Sequence, residues 1–258
     1  MSGGYRSFAQ YYDGLTMNVD YEQQAECLWG ILQRYGVKPG LLLDLACGTG
    51  SLSVLFAKRG AEVIGVDASG EMLCKAQQKA AEENVSVLFL RQKMQQIDLY
   101  GTVDAAVCTL DSINHLLRAK DVQETFRRVS LFLNPGGVFL FDVNTVHKHR
   151  KTLGNHTFVY ETPKVFCTWQ NEFFPENDIV RITLDFFERE DGLYRRRHEA
   201  FEERAYEIGQ LEDWLREAGL EPAARFSGFS QQPAFSADDR ILIAARKPEQ
   251  ASSAKNAE

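Results

Sequence analysis

The sequence predicts an α/β protein: a parallel sheet covered by helices on both faces, with an antiparallel sheet inserted late in the chain. Short apolar strands at 41–46, 62–67, 86–91, 103–109 and 137–143 alternate with helical stretches at about 51–59, 70–83 and 121–133. That alternation is the order of a parallel sheet built by right-handed crossovers. After Asn144 the texture changes to long β-branched and aromatic runs, broken at Pro163, at Pro175-Glu-Asn-Asp178 and at Asp191-Gly192. Such runs with turn residues between them read as hairpins. With 258 residues, 44% hydrophobic and 25% charged, the chain can bury the core of one large domain.

Taken in order, residues 1–36 read as an N-terminal helical lid. Tyr21, Ala25, Leu28, Leu32 and Tyr35 recur at helical spacing and Gly36 follows as a C-cap. The core occupies 37–149 and 207–247, closing with a helix around Leu211, Trp214 and Leu215 and two strands at about 221–229 and 239–246. Residues 150–206 form the inserted antiparallel subdomain, and 248–258 a flexible polar tail. The insert carries Phe158, Tyr160, Phe166, Trp169, Phe173, Phe174, Phe186 and Phe187, too many aromatics for a solvated hairpin. Its alternation lets one face pack on the α/β body while the other meets an acceptor, as a lid, or a second copy, as a homodimer.

Composition disfavours a general nucleic-acid binder without excluding a local basic groove. The net charge is −7, whereas grip on nucleic acid through phosphates calls for a basic surplus. The one basic run, Arg195-Arg196-Arg197-His198, reads as a solvated strand beside acidic neighbours. No apolar run comes near the about twenty residues of a membrane span, and the first residues lack a signal h-region. Cysteines 27, 47, 74, 108 and 167 form no C-x-x-C and leave one over in any pairing, as free thiols in a reducing cytoplasm do. A cytoplasmic protein without a metal site is expected.

Chemistry concentrates where the first strand ends. Asp44-Leu-Ala-Cys-Gly-Thr-Gly50 runs from a buried strand through a glycine turn into a helix. Gly48 and Gly50 permit positive φ and close approach of backbone to a ligand, and the helix N-terminus adds amide donors. The second strand ends in Asp67, where a carboxylate can accept from both hydroxyls of a ribose, or else cap the next helix, a role Ser69 can fill. A third glycine is missing, which disfavours a dinucleotide. Asp44, just before the turn, would repel a pyrophosphate but suits a ligand with a positive amine.

Together with Asp67-Ala-Ser-Gly-Glu-Met-Leu73 and Asn134-Pro-Gly-Gly137, this string resembles the class I S-adenosylmethionine-dependent methyltransferases over about residues 5–145. The resemblance extends to a small bacterial subgroup with an N-terminal F-A-x-x-Y-D and a D-S-x-N-x-L after strand four, here Phe8–Asp13 and Asp111–Leu116. It implies a Rossmann-like, doubly wound seven-stranded sheet with a reversed last strand, and S-adenosyl-L-methionine as cofactor. It implies that Asp44 helps hold the methionine ammonium, that backbone at Ala46, Gly48 and Gly50 approaches the methionyl and ribose portions, and that Asp67 takes the ribose hydroxyls. Ala68, Met72 and Met94 would lie around the adenine, Leu110 would offer its backbone to the methionyl amine, and Tyr12 would lay its ring near the sulfonium. One position departs from the family: in Arg91-Gln-Lys-Met-Gln95, Lys93 stands where an acid usually accepts from the adenine amine. An ammonium cannot accept, so Gln92 or Gln95 supplies an oxygen or the contact is lost.

Methyl transfer from a sulfonium needs collinear alignment more than a catalytic triad. His115 and Asp111 are the nearest candidates for base and polar clamp, with Asn144 also at the crevice. The sequence therefore points to methylation of an N or O atom of a small molecule. The alternatives are an RNA or protein acceptor met by Arg195–Arg197, a non-catalytic cofactor-binding protein, and a nicotinamide oxidoreductase.

Overall fold

The structure, a computed structural model, describes residues 19–163, 165–190 and 192–249. Tyr12, with the rest of segment 1–18, lies outside the described residues. Helix α1 (Tyr21–Arg34) starts at Asp20, whose carboxylate accepts from the Gln23 amide at 2.9 Å. Its apolar stripe, Ala25, Leu28, Ile31 and Leu32, is fully buried against Leu42, Phe56 and Leu140, so this stretch is a layer of the core.

The central sheet is built from β1 (Leu41–Leu45), β2 (Glu62–Asp67), β3 (Leu88–Arg91), β4 (Val103–Cys108), β5 (Leu133–Asn144), β10 (Glu221–Ser227) and β11 (Arg240–Arg246). Its order is β10-β11-β5-β4-β1-β2-β3, parallel except that β11 runs antiparallel to both neighbours. The reversed last strand is thus present. Helices α2 (Ser51–Lys58), α3 (Gly70–Glu82), α4 (Ala119–Phe132) and α5 (Ile208–Glu217) complete the layers. One face of the sheet packs Phe126, Phe139, Phe141 and Trp214; the other packs α1 and Phe56. The chain winds outward from β1 to β3, then returns to β4 beside β1. The carboxyl ends of β1 and β4 therefore flank the topological switch point, where open α/β sheets bind ligands.

Strand β5 begins at Leu133, four residues before the sequence predicts, and its register against β4 slips between Val103 and Ala105. Gly137 permits this. A Cβ there would sit 2.8 Å from the carbonyl oxygens of Asn134 and Asp104, so only glycine lets the backbones approach and pairing resume.

The insert is a four-stranded antiparallel sheet of β6 (Thr157–Glu161), β7 (Val165–Phe174), β8 (Ile179–Glu190) and β9 (Leu193–Arg204). Alternation divides its aromatics between two faces. Cys167, Val180, Ile182, Leu184 and Phe186 are buried on one, with Phe158, Trp169, Phe173 and Phe201 packed against them. Phe166, Phe174 and Phe187 lie on the other with charged neighbours, Arg181 stacking over Phe174 at 5.0 Å. The basic run is neutralised by its own sheet: Arg195 pairs with Glu190, Arg196 and His198 with Asp185, and Arg197 with Glu188.

A π-helix (Lys148–Leu153) that no sequence pattern announces leads into the insert. Asn114, fully buried, ties insert to body. Its Nδ2 donates to the carbonyls of Asn144 and Arg204, both at 3.0 Å, and its Oδ1 accepts from the Asn144 amide at 3.0 Å. All five cysteines are free thiols. Among the described residues no helix is long and apolar enough to cross a membrane.

Candidate active site

The β1–α2 turn is wound through three left-handed residues, Ala46 (φ 59°), Gly48 (54°) and Gly50 (74°). A Cβ on Gly50 would sit 2.8 Å from Ala76 Cβ, so this glycine is also what lets α3 close against the loop. The turn borders a cavity lined by Asp44, Ala46, Gly48, Thr49, Leu110 and Ser112 among others. Four of the sequence-predicted cofactor residues, Asp44, Ala46, Gly48 and Leu110, therefore meet at one concavity. Gly50 stands at the N-cap of α2 and itself offers no side chain to the helix amides.

Two carboxylates hold the loop. Asp67 accepts from the Gly48 amide at 3.0 Å and the Ser69 amide at 2.8 Å. Burial raises its pKa, and these amides offset part of the rise. Ser69, not Asp67, caps α3, accepting from the Met72 amide. With a backbone bond from Ala68 as well, Asp67 keeps part of its about four acceptor sites for a ligand diol. Asp44 is almost fully buried and takes a 2.5 Å hydrogen bond from Ser53 Oγ. Burial pushes its pKa up to about 6, despite the Ser53 bond and with help from the Asp67 charge. A buried carboxylate so disposed gains from a cation at its mouth.

Ala68, Met72 and Met94 do not line this cavity. Met72 is buried in α3 and Met94 packs on the core with its sulfur 3.8 Å from the Cys108 thiol. Ala68 gives its carbonyl to Arg91 Nε. Lys93 is exposed, and Gln92 is spent on both backbone groups of Asp98. Gln95, half-buried beside it, remains as the neighbouring amide.

Past β4, Leu110 and Asp111 adopt φ of 54° and 52°. Two consecutive non-glycine residues in this region cost of order 1–3 kcal/mol each. An ion-pair network sustains the bend: Arg240 bonds Asp111 and Asp142, and Asp142 also accepts from the Asp111 amide at 3.0 Å. Burial alone would raise the Asp111 pKa, but Arg240, with Lys148 and His115, holds it at about 2. Asp111 is therefore a fixed anion and clamp, not a proton acceptor.

His115 is 30% exposed, its ring centroid 5.4 Å from Phe201 and its Nε2 4.0 Å from Glu203 Oε1. Asp111, His115 and Glu203 bring ligand atoms within 4.8 Å of one another. Arg240 already occupies Asp111, and Lys148 is part of the same charge cluster, so this donor set suits a metal cation poorly. Glu203, His149 and Arg240 escaped the sequence reading because each joins the site through a partner 29 to 129 positions away.

Residues 42–137 match the family model described as a methyltransferase domain. A methyltransferase-family protein of Geobacillus sp. (strain WCH70) is 32% identical over 94% of this chain and 99% of its own length. A solved S-adenosylmethionine-dependent methyltransferase from Clostridium acetobutylicum ATCC 824 superposes with a TM-score of 0.87, at 30% identity over 95% of this chain and 99% of that one. The glycine/sarcosine N-methyltransferase of Halorhodospira halochloris is 33% identical over 52% of this chain and 53% of its own. A turn wound through left-handed Ala46 and Gly48, a helix whose N-cap is a glycine and a buried carboxylate at the cavity fit such a cofactor. The chain belongs to the class I methyltransferases that use S-adenosylmethionine.

Proposed function

We propose that this enzyme methylates an amine nitrogen of a small molecule, with His115 taking the acceptor's proton. The observation that carries this reading is the composition of the crevice beyond Leu110. There His115 meets Glu203 and Phe201 of the inserted sheet and is near enough to Asp67 for its charge to be felt there. Similarity to a glycine/sarcosine N-methyltransferase supports an amine acceptor. The expectation of a cytoplasmic protein without general nucleic-acid binding accompanies it, since Arg195, Arg196 and Arg197 are paired within their own sheet.

When bound, S-adenosylmethionine supplies an electrophilic methyl on a sulfonium. Asp44 would hold the methionine ammonium at the loop, Asp67 the ribose hydroxyls, and the backbone at Leu110 the methionyl end. Tyr12, Ala68, Met72, Met94 and Gln95 remain proposed contacts to the sulfonium and adenine side. An ammonium acceptor must first lose a proton, because only a free lone pair can attack; a positioned base such as His115 contributes about 10²–10⁴-fold to such steps. Seated over the acceptor, the insert would exclude water from the reacting atoms.

A radiolabelled methyl-transfer assay across primary and secondary amines, phenols and carboxylates tests the proposal. Labelled product is expected with amines, with turnover falling at least about a hundredfold in His115→Ala. Transfer only to phenols, or only to RNA or protein fractions, would refute the amine reading.

A further inference from the structure

The floor of the crevice holds side chains that the cofactor cradle does not use. His149, on the π-helix, is fully buried. Its Nδ1 lies 3.1 Å from the Asp178 carbonyl oxygen, and a carbonyl only accepts, so Nδ1 carries a hydrogen. Among the described residues its Nε2 has no hydrogen-bond partner, and it faces Glu203 Oε2 at 3.6 Å. A neutral ring would aim a lone pair at a carboxylate oxygen where water cannot intervene. A proton on Nε2 turns that repulsion into an imidazolium–carboxylate pair.

Glu203 is itself only 3% exposed. Its Oε2 accepts from Asn144 Nδ2 at 3.0 Å. That amide is oriented from the other side, since Asn144 Oδ1 accepts from Lys148 Nζ at 2.8 Å. The remaining oxygen, Oε1, is the one 4.0 Å from His115 Nε2. The surrounding charged groups are Lys148, Arg240, Asp111 and Asp239 on one side and the Arg150–Asp178 pair on the other.

We propose that Glu203 is a positioning residue for His115, kept ionised by a protonated His149 behind it. This rests on the reading of His115 as the base. The Glu203 carboxylate favours the His115 tautomer with its hydrogen on Nε2, leaving Nδ1 as the proton acceptor. When the acceptor's N–H bond breaks, the electron pair stays on the acceptor nitrogen and the proton passes to Nδ1. The resulting imidazolium is paired with Glu203, while the proton of His149 stays where it is. Because Glu203 comes from β9 and His149 from the π-helix, the base is set only when the inserted sheet is seated.

Long-range proton–nitrogen spectra of the ¹⁵N-labelled full chain at pH 7 test this without any acceptor, with histidines assigned by single His→Gln variants. Both ring nitrogens of His149 are expected at imidazolium shifts, and His115 is expected mainly in the Nε2–H form. In Glu203→Gln, His149 should revert to a neutral ring protonated on Nδ1 and His115 should become a tautomer mixture, with S-adenosylhomocysteine affinity within twofold of wild type. Glu203→Asp should restore part of both signatures. A neutral His149 in the wild-type protein, which needs no variant to fold, would overturn the proposal. Correct signatures combined with full turnover in His115→Ala would instead count against the base reading alone.

Discussion

The two halves of the crevice are built by different means. The cofactor half is local: Asp44 meets Ser53 nine positions away and Asp67 meets Gly48 nineteen away. The acceptor half is long-range: Asn144 meets Glu203 at 59, Asn114 meets Arg204 at 90 and Arg240 meets Asp111 at 129. Their electrostatics differ in the same sense. Asp44 is a buried carboxyl pushed up to about 6, and an ammonium placed at its mouth would favour its ionised form. Asp111 already has its cation and sits at about 2. One half holds a buried carboxylate with no cation beside it among the described residues, while the other supplies cations from the chain itself.

If the acceptor half is held by its own ion pairs, the largest loss of stability should come from breaking one. Arg240 is the cation shared by Asp111 and the fully buried Asp142. Arg240→Met leaves the buried Asp142 and the partly buried Asp111 without it and is expected to destabilise the fold by about 3–5 kcal/mol, read from urea unfolding. The pH dependence has a definite sign. The Asp111 pKa is depressed when folded, so its contribution is complete above its unfolded value and is lost as pH falls toward about 2. A loss below about 1 kcal/mol in the variant would show that the Leu110–Asp111 bend is held by something else.

The cofactor half should instead respond in affinity. Asp67→Ala removes the acceptor for the Gly48 and Ser69 amides and the proposed ribose contact. Calorimetry should find S-adenosylhomocysteine binding weaker by about 1–3 kcal/mol. Unchanged affinity would reduce Asp67 to a brace for the loop.

This contrast also explains what could be read from the sequence. The strand–turn–helix around Asp44–Gly50, the acid ending β2 and the alternation of the insert are periodic or short-range signals, and all stand in the structure. The start of β5 lies before its apolar run because Leu133 already pairs with Val103, ahead of the register shift that the close approach at Gly137 permits. The π-helix has no period to detect, and His149 acquires meaning only from Asp178 and Glu203. Asp111 was legible as a polar group beside the crevice. Its pairing with Arg240 was not, because nothing near Asp111 in the chain announces a partner on the last strand.

The buried Asp44 should give the cofactor half a pH signature. A folded-state pKa raised to about 6 means that ligand-free stability is complete below the unfolded value and declines as pH rises through about 6. Binding a ligand ammonium runs the opposite way, because it favours the ionised carboxylate. S-adenosylhomocysteine affinity should climb by up to about tenfold per unit, about 1.4 kcal/mol, between pH 5 and 6 and level off above. Asp44→Asn should bind more weakly and lose this slope. An equal slope in both proteins would place the titration elsewhere.

The smallest expected effect separates Lys93 from its neighbours. Lys93 stands where the family usually has an adenine-contacting acid, yet it is exposed. Gln92 cannot take over, since both ends of its amide are bound to Asp98. Gln95 is half-buried in the short 3-10 turn that follows β3, so its oxygen is the one proposed to accept from the adenine amine. Lys93→Ala should then change S-adenosylhomocysteine affinity by no more than about 0.5 kcal/mol, as exposed substitutions usually do. Gln95→Leu should weaken it by about 0.5–1.5 kcal/mol, the net worth of one neutral hydrogen bond. Lys93→Asp supplies the sharper comparison. If the acid position still faces adenine, this variant should bind more tightly than wild type and make Gln95→Leu tolerable in combination. A double variant as weak as Gln95→Leu alone would mean that adenine recognition has moved to Gln95 and that the backbone at 93 no longer presents a side chain to the base.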